Sequence, residues 1–296
     1  MSAAWLEQRE RGSLTAMRLM TWLTLNLGYR FGRALLYPIC LYFWLFSPAA
    51  RRASRDFLAR AYARPPGTRD VVRHFHVFAS TLLDRIEILA GNAAGFQVRL
   101  HGTEVLESLR ETNRGCLLLG SHLGSFEILR VIGESRGHLA VNLVMHEGNA
   151  RQVSRWLHAL APELAKRIIA PGQPETLLRV RECLERGELV AMLGDRVFAE
   201  ERTVTCEFLG ARARFPAGPI LAAAILQVPV VTFFCLHRGA RSYDAHFEPL
   251  VERMDEDRKM RDEAVASCVR RYAARLEAHA RAAPENWFNF YDFWRP

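Results

Sequence analysis

No two of the six cysteines stand at C-x-x-C spacing: Cys40, Cys116, Cys183, Cys206, Cys235 and Cys268 are scattered, mostly in apolar runs. That pattern favours buried, reduced thiols over a disulfide framework, as in a protein facing the cytoplasm. The chain also lacks a Walker loop and a G-x-G-x-x-G turn. H-E-x-x-H is missing too, since His146-Glu147 continues as Gly148-Asn149-Ala150. Metal dependence is therefore not indicated. There is no internal repeat and no low-complexity tract. A mean hydropathy of -0.05 excludes a polytopic membrane protein. A hydrophobic content of 50% excludes a disordered one, and 296 residues can bury a core without covalent staples.

What is present is unevenly distributed. The net charge is +8, and all of the excess lies in the first quarter. Residues 1–75 hold twelve arginines and no lysine against four acids, Glu7, Glu10, Asp56 and Asp70, whereas basic and acidic residues balance over 76–296. The same quarter is the most apolar, with uncharged runs over 19–29 and 34–50. Seventeen helical residues reach about 25 Å, short of a hydrocarbon core of roughly 30 Å, and Pro38 interrupts the run. A re-entrant or interfacial helical hairpin fits better than a spanning helix. Arg30, Arg33, Arg51, Arg52 and Arg55 would face an anionic leaflet, and Trp22, Tyr29, Tyr37, Tyr42 and Trp44 suit the interface. A buried helical hairpin with solvated arginines is the alternative. Nucleic acid is disfavoured because the arginines flank apolar runs instead of forming a polar stripe. Acidic Glu7 and Glu10 ahead of the apolar part argue against a cleaved signal peptide.

Amphipathic helices are predicted over 48–62 and 68–90, separated by Pro65-Pro66-Gly67. Beyond Gly95, short apolar runs alternate with helix-length polar ones. Strands are predicted over 96–101, 116–120, 140–145, 167–169, 189–193, 204–208, 228–236 and 242–248. Helices are predicted over 103–112, 125–136, 149–160, 174–186, 216–226 and 259–283. This predicts an α/β fold: a mixed, mostly parallel sheet flanked by helices, with an N-terminal apolar helical hairpin. Residues 1–47 form the basic, apolar docking segment and residues 48–296 the α/β domain. The tail carries six aromatics between Trp287 and Trp294 and is expected to pack the last helix onto that domain.

One segment can do chemistry. In Cys116-Leu-Leu-Leu-Gly-Ser-His122-Leu-Gly-Ser-Phe-Glu127, a strand ends in a small-residue turn carrying a histidine, and a helix follows. Open α/β folds place ligands at such strand ends. Ser125 is the expected N-cap, with Glu127 in the first turn. On one helix, residues five apart point about 140° away from each other, so His122 and Glu127 meet only if His122 lies in the loop. A carboxylate beside the ring would set its tautomer and support the imidazolium. Gly120-Ser-His-Leu-Gly124 is not a nucleophile elbow, because its central residue is histidine. A general base acting on a substrate hydroxyl is the reading, set against a histidine that only caps a strand end. Arg151 and Arg155, one turn apart, could meet an anionic head group or form a solvated face.

The H-x-x-x-x-E arrangement resembles the motif of the lysophospholipid acyltransferase superfamily, and the chain most resembles its lipid A biosynthesis (lauroyl/myristoyl) acyltransferase branch. The resemblance runs through the N-terminal hairpin, GSHLGSFE, ELVAMLGDR, CEFLGARARFPAGPILAAAILQVPVV and Pro284–Trp287. It implies His122 as the base that deprotonates the acceptor hydroxyl, Glu127 as its orienting carboxylate, and attack on an acyl thioester. Asp195 and Arg196, at another strand end, would bind the acceptor or support the histidine. An arginine near Arg151 and Arg155 is also implied. No cofactor is implied beyond the donor, acyl carrier protein or coenzyme A. The partners would be a lipid or glycolipid acceptor, acyl carrier protein and an anionic membrane, at the cytoplasmic face of the inner membrane. Phe215-Pro-Ala-Gly218 departs from the acidic F-P-E-G block of glycerol-phosphate enzymes and reads as the lead-in to helix 216–226. A hydrolase using His122 on water and a non-catalytic lipid-binding relative are the rival readings.

Overall fold

Cys116-Leu-Leu-Leu-Gly120 has no polar side chain to offer solvent, and the strand it forms, β2 (Cys116–Gly120), is buried at every position. The computed structural model describes residues 14–111, 113–135, 140–145, 162, 166–173, 175–198, 201–253 and 258–295. There β2 is the central strand of a seven-stranded sheet. The order is β1 (Gln97–His101), β9 (Ser242–Val251), β8 (Val230–Gly239), β2, β5 (Leu189–Leu193), β3 (Val141–Val144) and β4 (Ile168–Ile169). From β8 to β4 all neighbours are parallel; β9 runs antiparallel to β8 and parallel to β1. This is the mixed, mostly parallel α/β sheet expected from the alternation.

Alternate side chains leave the sheet on opposite faces. Leu117, Leu119, Phe234 and Leu236 join a core with α3 (Pro48–Tyr62), α8 (Gly218–Leu226) and α9 (Arg258–Ala282). Cys116, Leu118, Phe233 and Cys235 join another with α5 (Glu104–Glu111) and α6 (Ile128–Ser135). A smaller cluster seats α7 (Thr176–Glu185) through Val180, Cys183 and Leu184. All six cysteines are free and buried.

Outside this sheet stands an antiparallel hairpin of β6 (Thr203–Phe208) and β7 (Ala211–Pro216). The sequence reading includes the first strand and misses the second. The helix expected from residue 216 begins at Gly218, because Ala213, Phe215 and Pro216 are already buried in the strand while Arg212 and Arg214 point out.

The N-terminal hairpin consists of α1 (Leu14–Leu27) and α2 (Tyr29–Phe46). α2 lies on α4 (Thr68–Leu89) along a narrow stripe, Gly32, Leu36 and Cys40, at the i, i+4, i+8 spacing of one helix face. Gly32 allows the approach: a Cβ there would stand 2.6 Å from Thr24 Oγ1 and 3.3 Å from Leu83. Pro38 does not end the helix; it and Ala34, whose carbonyl loses its N–H partner, are both exposed. The outward face carries Leu19, Trp22, Tyr37, Leu41, Tyr42 and Phe46, each more than half exposed. No described helix is long and apolar enough to cross a membrane.

Candidate active site

β2 and β5 pair in parallel with Gly120 opposite Leu193, and the ladder goes one step further as the Gly194 N–H donates to the Gly120 carbonyl at 3.0 Å. The next residues on the two strands are therefore His122 and Asp195, 73 positions apart in sequence and adjacent in space. Asp195 Oδ1 lies 2.9 Å from His122 Nδ1, and Oδ2 accepts the His122 backbone N–H at 2.9 Å. Oδ2 also accepts the indole N–H of Trp287 at 2.9 Å. Asp195 is 1% exposed, while the His122 side chain keeps 29% of its surface. The carboxylate is thus sealed and the ring is open on one side.

The loop that presents His122 is clamped from two sides. Gly124 has φ +71°, and a Cβ there would fall 1.6 Å from the Cys235 carbonyl oxygen. Only glycine permits that approach. The Ser125 N–H donates to the same carbonyl at 3.0 Å. From the other side comes the C-terminal tail. The Gly124 N–H donates to the Asn286 carbonyl and the Phe288 N–H to the His122 carbonyl, both at 2.8 Å. Asn286 is held in turn by the His237 backbone N–H, which donates to its Oδ1 at 2.6 Å.

Burial opposes the charge of Asp195, but the His122 ring, the His122 N–H and the Arg196 guanidinium outweigh it and hold the carboxyl down to about 2. Burial, with help from Arg196, keeps the His122 imidazole below its usual range against the pull of Asp195. At neutral pH the pair is therefore a neutral ring beside an anion. An anion can only accept, so the proton sits on Nδ1 and Nε2 offers its lone pair.

Among the residues expected at the site, His122 and Asp195 are brought together, with Arg196 next to them. Arg196 Nη2 donates to the Phe288 carbonyl at 3.1 Å, and its guanidinium carbon lies 5.7 Å from the centroid of the Tyr291 ring. Glu127 is placed differently from the expectation. It is 4% exposed, and its Oε1 lies 2.8 Å from Arg85 Nε on α4, so the carboxylate that orients His122 Nδ1 is that of Asp195. Ser125 does not cap α6, which begins at Ile128; its backbone is committed to Cys235. Arg151, Arg155 and the helix expected over 149–160 lie outside the described residues. Sequence reasoning missed Trp287 as a partner of Asp195. Its signal was an indole, which carries a hydrogen-bond donor, in a tail read only for its apolar bulk.

Elsewhere among the described residues, His101, Asp244 and His246 bring three potential metal ligands together. Both Asp244 oxygens are already occupied there, by Arg99 Nε and Arg238 Nε at 2.7 Å each. A groove of about 480 Å³ opens at the opposite end of β2 from His122, beside Arg114, Gly115 and Pro229.

A histidine held by a buried acid thus stands at the carboxyl end of a central parallel strand, where open α/β folds place their ligands. The family model of the bacterial lipid A biosynthesis acyltransferases matches residues 26–296, and the chain belongs to that family. It is accordingly an acyltransferase of lipid biosynthesis. Among curated proteins, none matches its sequence.

Proposed function

We propose that the enzyme moves a fatty acyl or related group from a thioester, on acyl carrier protein or coenzyme A, to a hydroxyl of a lipid A-like lipid or glycolipid, with His122 as general base. The observation that carries the reading is the Asp195-held imidazole at an open strand end. A hydroxyl set against Nε2 gives up its proton as its oxygen bonds to the thioester carbonyl carbon. The tetrahedral intermediate collapses with cleavage of the C–S bond, and the imidazolium returns the proton to the departing thiolate. Asp195 stays ionised and stabilises that imidazolium. Arg196, beside the pair, would meet an anionic head group, and Arg151 and Arg155 remain candidates for the same role.

The α1–α2 hairpin would dock on the cytoplasmic face of the inner membrane. Its exposed apolar face and the arginines around it favour a bilayer whose lipid substrate never has to leave. The test is His122→Ala in the full chain, assayed with acyl carrier protein and coenzyme A donors, with and without lipid acceptor, by mass spectrometry of the lipid. The variant is expected to fold normally and to lose at least about 100-fold in transfer. A variant with the wild-type rate would overturn the base assignment. Equal release of free fatty acid without acceptor would assign the site to hydrolysis.

A further inference from the structure

Trp287 is 1% exposed and packs edge-on against Phe57, Phe208 and Phe293, with ring centroids 4.9, 5.2 and 4.8 Å away. Phenylalanine could make those contacts. Beyond the volume of its second ring, the indole adds an N–H, and it is spent on Asp195 Oδ2. We propose that Trp287 is a positioning residue for acyl transfer, whose indole N–H fixes the Asp195 carboxylate in the plane that receives Nδ1–H of His122. The proposal rests on the reading of His122 as the base.

Without Trp287, both donors to Asp195 among these three contacts come from one residue, the ring and backbone of His122, so the acid and base could shift together. The indole ties the carboxylate to a third element. That element is itself held. The Trp287 carbonyl lies 2.9 Å from His74 Nε2, and a carbonyl only accepts, so Nε2 carries the proton and Nδ1 accepts the Ser54 hydroxyl at 2.8 Å. A line of hydrogen bonds thus runs from α3 through α4 and the tail to the end of β5. The last of these, from the indole to the Asp195 carboxylate, is charge-assisted and so of the strong kind, and buried hydrogen-bond networks fix geometry.

The test compares Trp287→Phe with Trp294→Phe in the full-length enzyme. Trp294 shares the aromatic cluster, but its indole donates to the Phe208 carbonyl at 3.2 Å instead. Trp287→Phe is expected to lower kcat about tenfold with KM nearly unchanged. It should also move the acid limb of kcat/KM to higher pH, because a carboxylate with one donor fewer attracts the imidazolium more strongly. Trp294→Phe should leave the limb in place. If Trp287→Phe melts well below the wild type, benzothienylalanine at position 287, which keeps the two-ring shape and replaces N–H by sulfur, asks the same question. Wild-type kcat and acid limb in the folded variant, with His122→Ala inactive, would overturn the positioning role alone. Full activity in His122→Ala would instead strike the reading beneath it.

Discussion

At the scale of single residues, two carboxylates lie within reach of the His122 loop, and their environments separate their tasks. Asp195 collects three donors and is held down to about 2, whereas Glu127 faces Arg85. Asp195→Asn preserves shape but turns an amide N–H₂ or a weaker acceptor toward Nδ1, which disfavours the tautomer with its lone pair on Nε2. A loss of about 10³-fold or more in kcat is expected with the melting temperature nearly unchanged. Glu127→Gln does the opposite: it leaves a partly buried guanidinium without its anion. A loss of about 1–3 kcal/mol in stability is expected with kcat reduced less than about tenfold. Paired melts and rate measurements on the two variants check this, and the reverse ranking would return the orienting role to Glu127. The sequence allowed His122 to be placed at a strand end and marked Asp195 as a residue of the same kind. It could not show that Gly120 stands opposite Leu193, and that register is what brings the two side chains together. Glu127, only five residues away, was the nearer candidate on the chain and the less suitable one in space, because α4 supplies it with Arg85.

At the scale of elements, the N-terminal hairpin is the part whose exterior is least suited to water. α2 buries only one stripe against α4, and Trp22 on α1 and Tyr42 on α2 project outward. An aromatic side chain that enters a bilayer interface removes about 150–250 Å² from water, which is several kcal/mol for two. Trp22→Glu with Tyr42→Glu is therefore expected to weaken binding to anionic vesicles at least about tenfold while leaving the melting temperature in place. Vesicle sedimentation checks it, and unchanged binding would remove this face from the membrane contact. Elements dominated by hydrophobic periodicity were legible: β2, β5 and α3 have the predicted bounds. β7 was not, for a local reason. Its hairpin turns on Leu209 and Gly210, both with positive φ, at 51° and 76°. Such two-residue turns ordinarily announce themselves with Asn or Asp before the glycine. Here leucine takes the left-handed conformation, and its backbone N–H donates to Glu277 Oε2 at 2.7 Å from α9. A tertiary contact thus supports what the turn sequence does not advertise.

At the scale of the whole molecule, the buried titratable groups make stability depend on acid. His74 and His237 are held down to about 4, first of all by burial; the Trp287 carbonyl works against it at His74, and Arg33 and His76 add to it at His237. Asp84 is raised to about 6 by burial, against the hydroxyls of Tyr29 and Tyr243 and the charges of Arg33 and Arg241. In the unfolded chain histidine titrates near 6.5 and aspartate near 3.9. As pH falls from 6.5 towards 4, the unfolded chain takes up two protons at His74 and His237 that the folded protein refuses. Over part of the same interval the folded protein takes up one at Asp84 that the unfolded chain does not. The unfolded state still gains more, so stability is complete above 6.5 and declines as pH falls, by about 1.4 kcal/mol per pH unit for a net difference of one proton. His74 joins α3 and α4 to the tail that carries Trp287, so the loss spreads through the contacts that hold the site. Thermal melts between pH 7.5 and 4.5 should show a falling melting temperature below 6.5, with a shallower fall in His237→Gln. A melting temperature flat across that range would mean that the folded protein protonates these rings as readily as the unfolded chain, and that the core around them is open to water.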